Sequence, residues 1–136
     1  MDEVEIRTIT AVDRTNPDKP ILTLDSPLLY KHFASIESCL SNPVILRGEV
    51  GLLTRNIVIQ GDSNSVYDEN GGVITVYSDG DDSSIVRIAY VEFREMGQAY
   101  KVGRYALHMR VAGKMTSSYI RGNSLHKSYN RFLALN

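Results

Sequence analysis

Apolar and polar residues alternate in short runs along most of this chain, with turn-forming residues between the runs. "EIRTITAV" (5–12), "PILTL" (20–24) and "VILRGEV" (44–50) each read as a strand. A period of two turns one face of such a run to a core and the other to water. The same reading holds for "NIVIQG" (56–61), "VITVYS" (73–78), "AYVEF" (89–93), "YALHMRV" (105–111), "SYIRG" (118–122) and "FLAL" (132–135). Pro17, Pro20, Pro27 and Pro43 punctuate the first third, and Gly- and Asp-rich stretches punctuate the middle. The run 28–38, "LLYKHFASIES", is the one place where a helix is expected. No sustained 3.6-residue period occurs elsewhere, so the predicted class is all-β.

Three two-strand units can be laid over one another. "NIVIQG" precedes "VITVYS", "YVEFREMGQ" precedes "ALHMRV", and "YIRGNSLHK" precedes "FLALN". The first strands then align Ile57 with Val91 and Ile120, and Ile59 with Phe93 and Gly122. The second strands align Ile74 with Leu107 and Leu133, and Val76 with Met109 and Leu135. Repeats of 20–50 residues signal solenoids, propellers or arrays. Two short strands per repeat fit a parallel β-helix, in which aligned residues of successive turns stack. Thr75, His108 and Ala134 would then form one solvent-facing column, and Tyr77, Arg110 and Asn136 the next. An antiparallel sandwich or barrel fits the strand pattern alone equally well.

Charge is distributed unevenly. Residues 62–82 hold six acidic residues and no Lys or Arg, whereas residues 87–131 hold nine basic residues against Glu92 and Glu95. A local basic surface attracts anionic partners whatever the total charge. No apolar run approaches the ~20 residues of a membrane span. The opening "MDEVEIRTIT" lacks the basic-then-apolar pattern of a secretory leader. Cys39 is the single cysteine and can form no internal disulfide. No phosphate-cradling loop, nucleophile elbow or zinc-type spacing is present, and no recognition element for nucleic acid. "DGDD" (79–82) offers oxygen ligands to calcium but reads first as an acidic loop tip.

Longer motifs carry a resemblance. "LTLDSPLLYKHF" (22–33), "EVGLLTRNIVIQGD" (49–62), "VEFREMGQ" (91–98), "GRYALHMRVAG" (103–113) and "SYIRGNSLHKSYNR" (118–131) stand in fixed order. Together they resemble the parallel β-helix region of the fibrocystin and fibrocystin-like receptors. The cell-migration-inducing hyaluronidase and its transmembrane relative share that region. The resemblance runs from about Glu3 to Arg131. It implies a right-handed parallel β-helix over 1–136, with entry strands and Pro-rich loops in 1–50 and repeated coils in 51–136. It also implies an extracellular or cell-surface setting within a larger protein, with flanking domains as partners. Family members commonly read GRYPIHFH where this chain has Gly103 to Arg110, so His108 matches the first histidine and Arg110 replaces the second. After Asn130 and Arg131 the family continues with Thr-Ile-His, where this chain has Phe132 to Asn136.

The resulting expectation is a structural or adhesive module that binds hyaluronan or another anionic glycan, with no cofactor. A polysaccharide-degrading domain is the alternative. His108 and His126 are the candidate catalytic groups, because imidazole titrates near neutral pH. Arg104, Tyr105, Arg110, Asn130 and Arg131 are the candidate ligand-binding residues, with arginine suited to bidentate carboxylate contact. Glu49 and Arg55 are expected to fix a turn. The last repeat leaves an open strand edge, and such edges recruit other chains, so the isolated chain is expected to be marginal or to associate.

Overall fold

The computed structural model describes residues 4–39, 42–79, 81, 83–110 and 113–135. The chain forms two compact units, Met1–Val50 and Gly51–Asn136.

In the first unit, β1 (Ile9–Asp13) pairs antiparallel with β2 (Ile21–Leu24), and β3 (Ala34–Cys39) with β4 (Asn42–Arg47). The helix expected over 28–38 does not form. Residues 34–38 pair instead with β4, which commits their backbone groups to an antiparallel ladder. Ahead of that strand, the N–H groups of Leu29 and Tyr30 donate to the Glu5 carboxylate, at 2.8 and 3.0 Å. Arg7 holds the same segment by donating to the Pro27 carbonyl at 3.0 and 3.2 Å. Residues from Ala34 onward then extend into β3.

Glu5 organises this loop as an ion. The Leu29 N–H holds its carboxyl down; burial opposes this, and the Tyr30 N–H, His32 and Arg7 add to it, so the group sits at about 2. Its folded value lies below the ordinary one of 4.5. The stability it contributes is therefore complete above that ordinary value and is lost as pH falls through the folded one. The amide proton shifts of Leu29 and Tyr30 should titrate together with a midpoint near 2. Glu5→Gln should abolish that titration. A midpoint near 4.5 would mean that the carboxylate does not hold the loop.

The second unit is built differently. Here β5 (Ile57–Gln60), β8 (Val91–Arg94) and β11 (Ser124–His126) form one parallel sheet, with β8 central. A second parallel sheet joins β6 (Ile74–Tyr77), β9 (Leu107–Arg110) and β12 (Leu133–Leu135). A third pairs β7 (Arg87–Ala89) with β10 (Tyr119–Arg121), also parallel. Successive stretches of chain therefore stack, and the antiparallel alternative does not describe this unit. A single helical turn, α1 (Ser65–Asp68), follows β5; Asp62 Oδ1 accepts the N–H groups of Asn64 and Ser65 at its start, both at 3.0 Å.

The second-strand alignment is observed as expected, with Leu107 between Ile74 and Leu133 and Met109 between Val76 and Leu135. The third member of the first-strand alignment is corrected. Ile120 pairs with Ile88, and Leu125 stands beside Phe93. The repeat holds three strands, and a corner separates β10 from β11. That corner is left-handed in both turns: Tyr90 at φ 56° and Gly122 at φ 61°. Asn123 braces it across the stack, accepting from Val91 N at 2.9 Å and donating to the Ile88 carbonyl at 3.3 Å.

The core lies between the sheets. Phe93, Met96 and Ala106 are buried with Val91, and Ile59, Ile74, Ile88, Leu125 and Phe132 pack on them. The next corner, after β8 and β11, is left-handed at Glu95 and Lys127, each at φ 55°. Non-glycine residues carry about 1–2 kcal/mol of strain there, against about 0.5–1 kcal/mol of extra chain entropy for glycine. Because Lys127 is exposed, Lys127→Gly should raise stability by up to ~1 kcal/mol in urea unfolding. A loss would show that the Lys127 side chain itself holds the corner.

Candidate functional site

The side of β5–β8–β11 facing away from Phe93 carries polar columns. Register sets Val58, Glu92 and Ser124 in one and Gln60, Arg94 and His126 in the next. Glu92 is only 4% exposed. Its Oε2 accepts the Arg55 N–H at 3.1 Å, and its Oε1 lies 3.0 Å from His126 Nε2. Arg94 stands 4.0 Å from Oε1 and also donates to the Gln60 side chain. Burial pushes the Glu92 carboxyl up; the Arg55 N–H, His126 and Arg94 more than offset this and hold it below the usual carboxylate value. Ser124 Oγ is buried beside it, without a hydrogen-bond partner among the described residues.

Arg55 fixes the segment over this column. Its guanidinium donates to the carbonyls of Leu52, Thr54 and Gly122, at 2.7, 2.8 and 3.0 Å. The turn-fixing role expected for Arg55 is thus made of hydrogen bonds to backbone. A carboxylate that orients an imidazole is the arrangement of a general base. It is equally a way to bury a carboxylate in a scaffold.

His108 stands on the other sheet, in β9. The sequence placed it on a solvent-facing surface with Arg110, but the structure corrects this for His108, which is 6% exposed. The loop before β9 folds over it. Its Nδ1 lies 3.1 Å from the Gly103 carbonyl, and its ring meets Tyr105 edge-on at 5.2 Å. The two histidines therefore occupy different sheets in separate surroundings. Arg110 remains exposed, as does Arg104 in the covering loop. A polar hollow of about 410 Å³ opens between Thr75, Val102, Gly103, Arg104, His108 and Arg110.

Asn130 turns inward. Its amide donates to the carbonyls of Gln98 and Lys101, at 2.8 and 3.0 Å, and so ties the 98–101 loop to the next turn of chain. Arg131 keeps an exposed side chain while its carbonyl accepts the Ala106 N–H at 3.1 Å. In the acidic loop, Asp81 Oδ1 accepts from Ser83 N and Oγ, at 3.0 and 2.6 Å. Gly80 and Asp82 of that loop and Asn136 lie outside the described residues. Among the described residues, no three His, Cys, Asp or Glu side chains cluster as a metal site. Nor is any helix there long and apolar enough to cross a membrane.

The residues that sequence reasoning missed are Glu92 and Thr75. Glu92 had a usable signal: with Leu125 placed beside Phe93, His126 falls beside Arg94, two residues along from Glu92 on the same face.

Residues 69–136 match the family model described as CEMIP beta-helix. Mouse fibrocystin-L is 31% identical over 98% of this chain, which corresponds to 4% of its own length. A G8 domain-containing protein of Dictyostelium discoideum is 33% identical over 95% of this chain and 10% of its own. Human cell surface hyaluronidase CEMIP2 is 34% identical over 68% of this chain and 8% of its own. The chain thus spans a tenth or less of each of these relatives. No solved structure matches it. The strands that carry Glu92, His108 and His126 all lie within the matched half, and the protein belongs to the CEMIP beta-helix family.

Proposed function

We propose that this chain is a right-handed parallel β-helix module of a larger cell-surface protein, and that its outer wall binds an anionic polysaccharide without cutting it. The observation that carries the reading is the pair of exposed guanidiniums, Arg104 and Arg110, beside one polar hollow. Among the described residues neither forms an ion pair. The surplus of basic residues over 87–131 adds a favourable long-range field. In-register parallel strands give a flat wall on which an extended sugar chain can lie. The names of the relatives, fibrocystin-L and a cell surface hyaluronidase, agree with such a setting.

Cleavage asks for more. Glycosidic hydrolysis uses an acid and a second carboxylate or base flanking the bond. Glu92 is buried under the Arg55 segment, and His108 is covered by its own loop. A hydrolytic reading rests on one observation, the Glu92–His126 pair at 3.0 Å. Calorimetric titration with hyaluronan oligosaccharides, repeated at rising salt, should give affinity that weakens as salt screens the charges. A parallel assay for new reducing ends should stay flat. Reducing ends that appear with wild type and vanish in His126→Gln would replace binding by hydrolysis.

A further inference from the structure

We infer that the hollow between Thr75, Arg104, His108 and Arg110 is a discrete subsite for one sugar-borne oxyanion, a carboxylate or a sulfate; this rests on the polysaccharide-binding reading above. Its volume, about 410 Å³, falls within the range of small-ligand sites. Its lining is polar and supplies donors. Arg104 comes from the covering loop and Arg110 from the end of β9, so two arginines of separate origin line one space. Thr75 adds a hydroxyl from the neighbouring strand β6, in register with His108. Planar guanidinium forks match the paired oxygens of an oxyanion.

The wall is also preorganised. His108 is fixed by Gly103 on one side and by the Tyr105 edge on another. The loop that delivers Arg104 is pinned by Gln98 N donating to the Arg104 carbonyl at 2.9 Å. Asn130 clamps the same loop from the following turn. A pinned loop loses little freedom when ligand arrives. Diffuse basic character would lack this architecture, since scattered lysines attract polyanions without a defined seat.

The test compares two charge-matched double variants of the whole chain. One is Arg104→Gln with Arg110→Gln, and the other is Lys114→Gln with Lys127→Gln, which removes the same charge elsewhere. Each is titrated with hyaluronan oligosaccharides, whose only anion is carboxylate, and with heparin oligosaccharides, which add sulfate. Circular dichroism confirms folding of both variants. The hollow variant should lose about tenfold or more in affinity per arginine, the worth of a charge-assisted hydrogen bond. The lysine variant should lose at most about fivefold per lysine, as exposed charges do. Loss with both sugars assigns the seat to either oxyanion, and loss with heparin alone assigns it to sulfate. Equal losses in the two variants would overturn the subsite and leave a diffuse field.

Millimolar glucuronate and inorganic sulfate, followed by NMR, separate this proposal from the reading beneath it. Movement of the His108 ring and Thr75 signals, with no polysaccharide binding, keeps the hollow and removes the reading. No movement at these signals with either probe overturns the hollow.

Discussion

Phe93→Ala is expected to cost about 3–5 kcal/mol of folding stability, the usual range for emptying a buried phenylalanine site. Phe93 has no solvent exposure. It stands between Ile59 and Leu125 in the inward column of the first sheet, and its ring lies 5.8 Å from that of Phe132, tilted by 50°. Among the described residues, the large side chains buried this fully are Phe93, Met96 and Leu107. Phe132, the aromatic in contact, has its backbone anchored by the Leu107 N–H at 2.7 Å, which limits how far it can shift into the cavity. Stacked repeats draw their stability from contacts between neighbours, so a void in the middle turn weakens both interfaces at once. Urea unfolding, followed by the loss of β signal, measures the cost. Phe93→Leu should retain most of the stability, because a branched aliphatic still fills much of the volume. If Phe93→Ala leaves the transition within about 0.5 kcal/mol of wild type, the range of surface substitutions, then the column is not the core.

The columns of β6, β9 and β12 were legible because their aliphatic residues repeat at a period of two and loop length alone varies between turns. The first-strand column was legible for two turns and failed at the third. Ile120 matched the pattern of Val91, and nothing in a hydrophobic pattern marks a left-handed corner at Gly122 or Tyr90. The strands β7 and β11 escaped for a related reason, since "RIA" and "SLH" are three residues each, too short to display an alternation. Over 28–38 the local pattern lost to pairing, since residues 34–38 form an antiparallel ladder with β4.

At the candidate site, the basic residues of the covering loop were legible from charge. The burial of His108 was not, because it depends on a loop folding back rather than on the pleat of its own strand. Asn130 looked like a surface amide in sequence. Its neighbours in space, Gln98 and Lys101, belong to the preceding turn of chain. Where spacing along the strand decided a contact, the sequence was informative. Where one turn reached across to another, it was silent until register was known.

That reach is closest at Gly71, where substitution by alanine is expected to cost about 3 kcal/mol, the upper part of the range for overpacking. An added Cβ would run into the Glu95 carbonyl oxygen and lie 2.7 Å from the carbonyl carbon. Both atoms are backbone, so no rotamer change relieves the clash. The chains are also joined here. Gly71 N donates to the Gly97 carbonyl at 2.8 Å, and Gly97 N donates to the Gly72 carbonyl at 2.6 Å. Parting the two strands enough for a methyl group stretches both bonds and leaves their groups underbonded. Gly72→Ala is the natural comparison, one residue along. Its Cβ would meet Met96 Sδ at 2.9 Å and Cε at 3.1 Å, the far end of a flexible side chain. Met96 is buried, but methionine adapts to small changes in shape, so Gly72→Ala should cost less than half as much as Gly71→Ala. Urea midpoints for the two variants decide the matter. Equal costs would mean that the corner yields as a whole, and that backbone contact between successive turns does not fix their spacing.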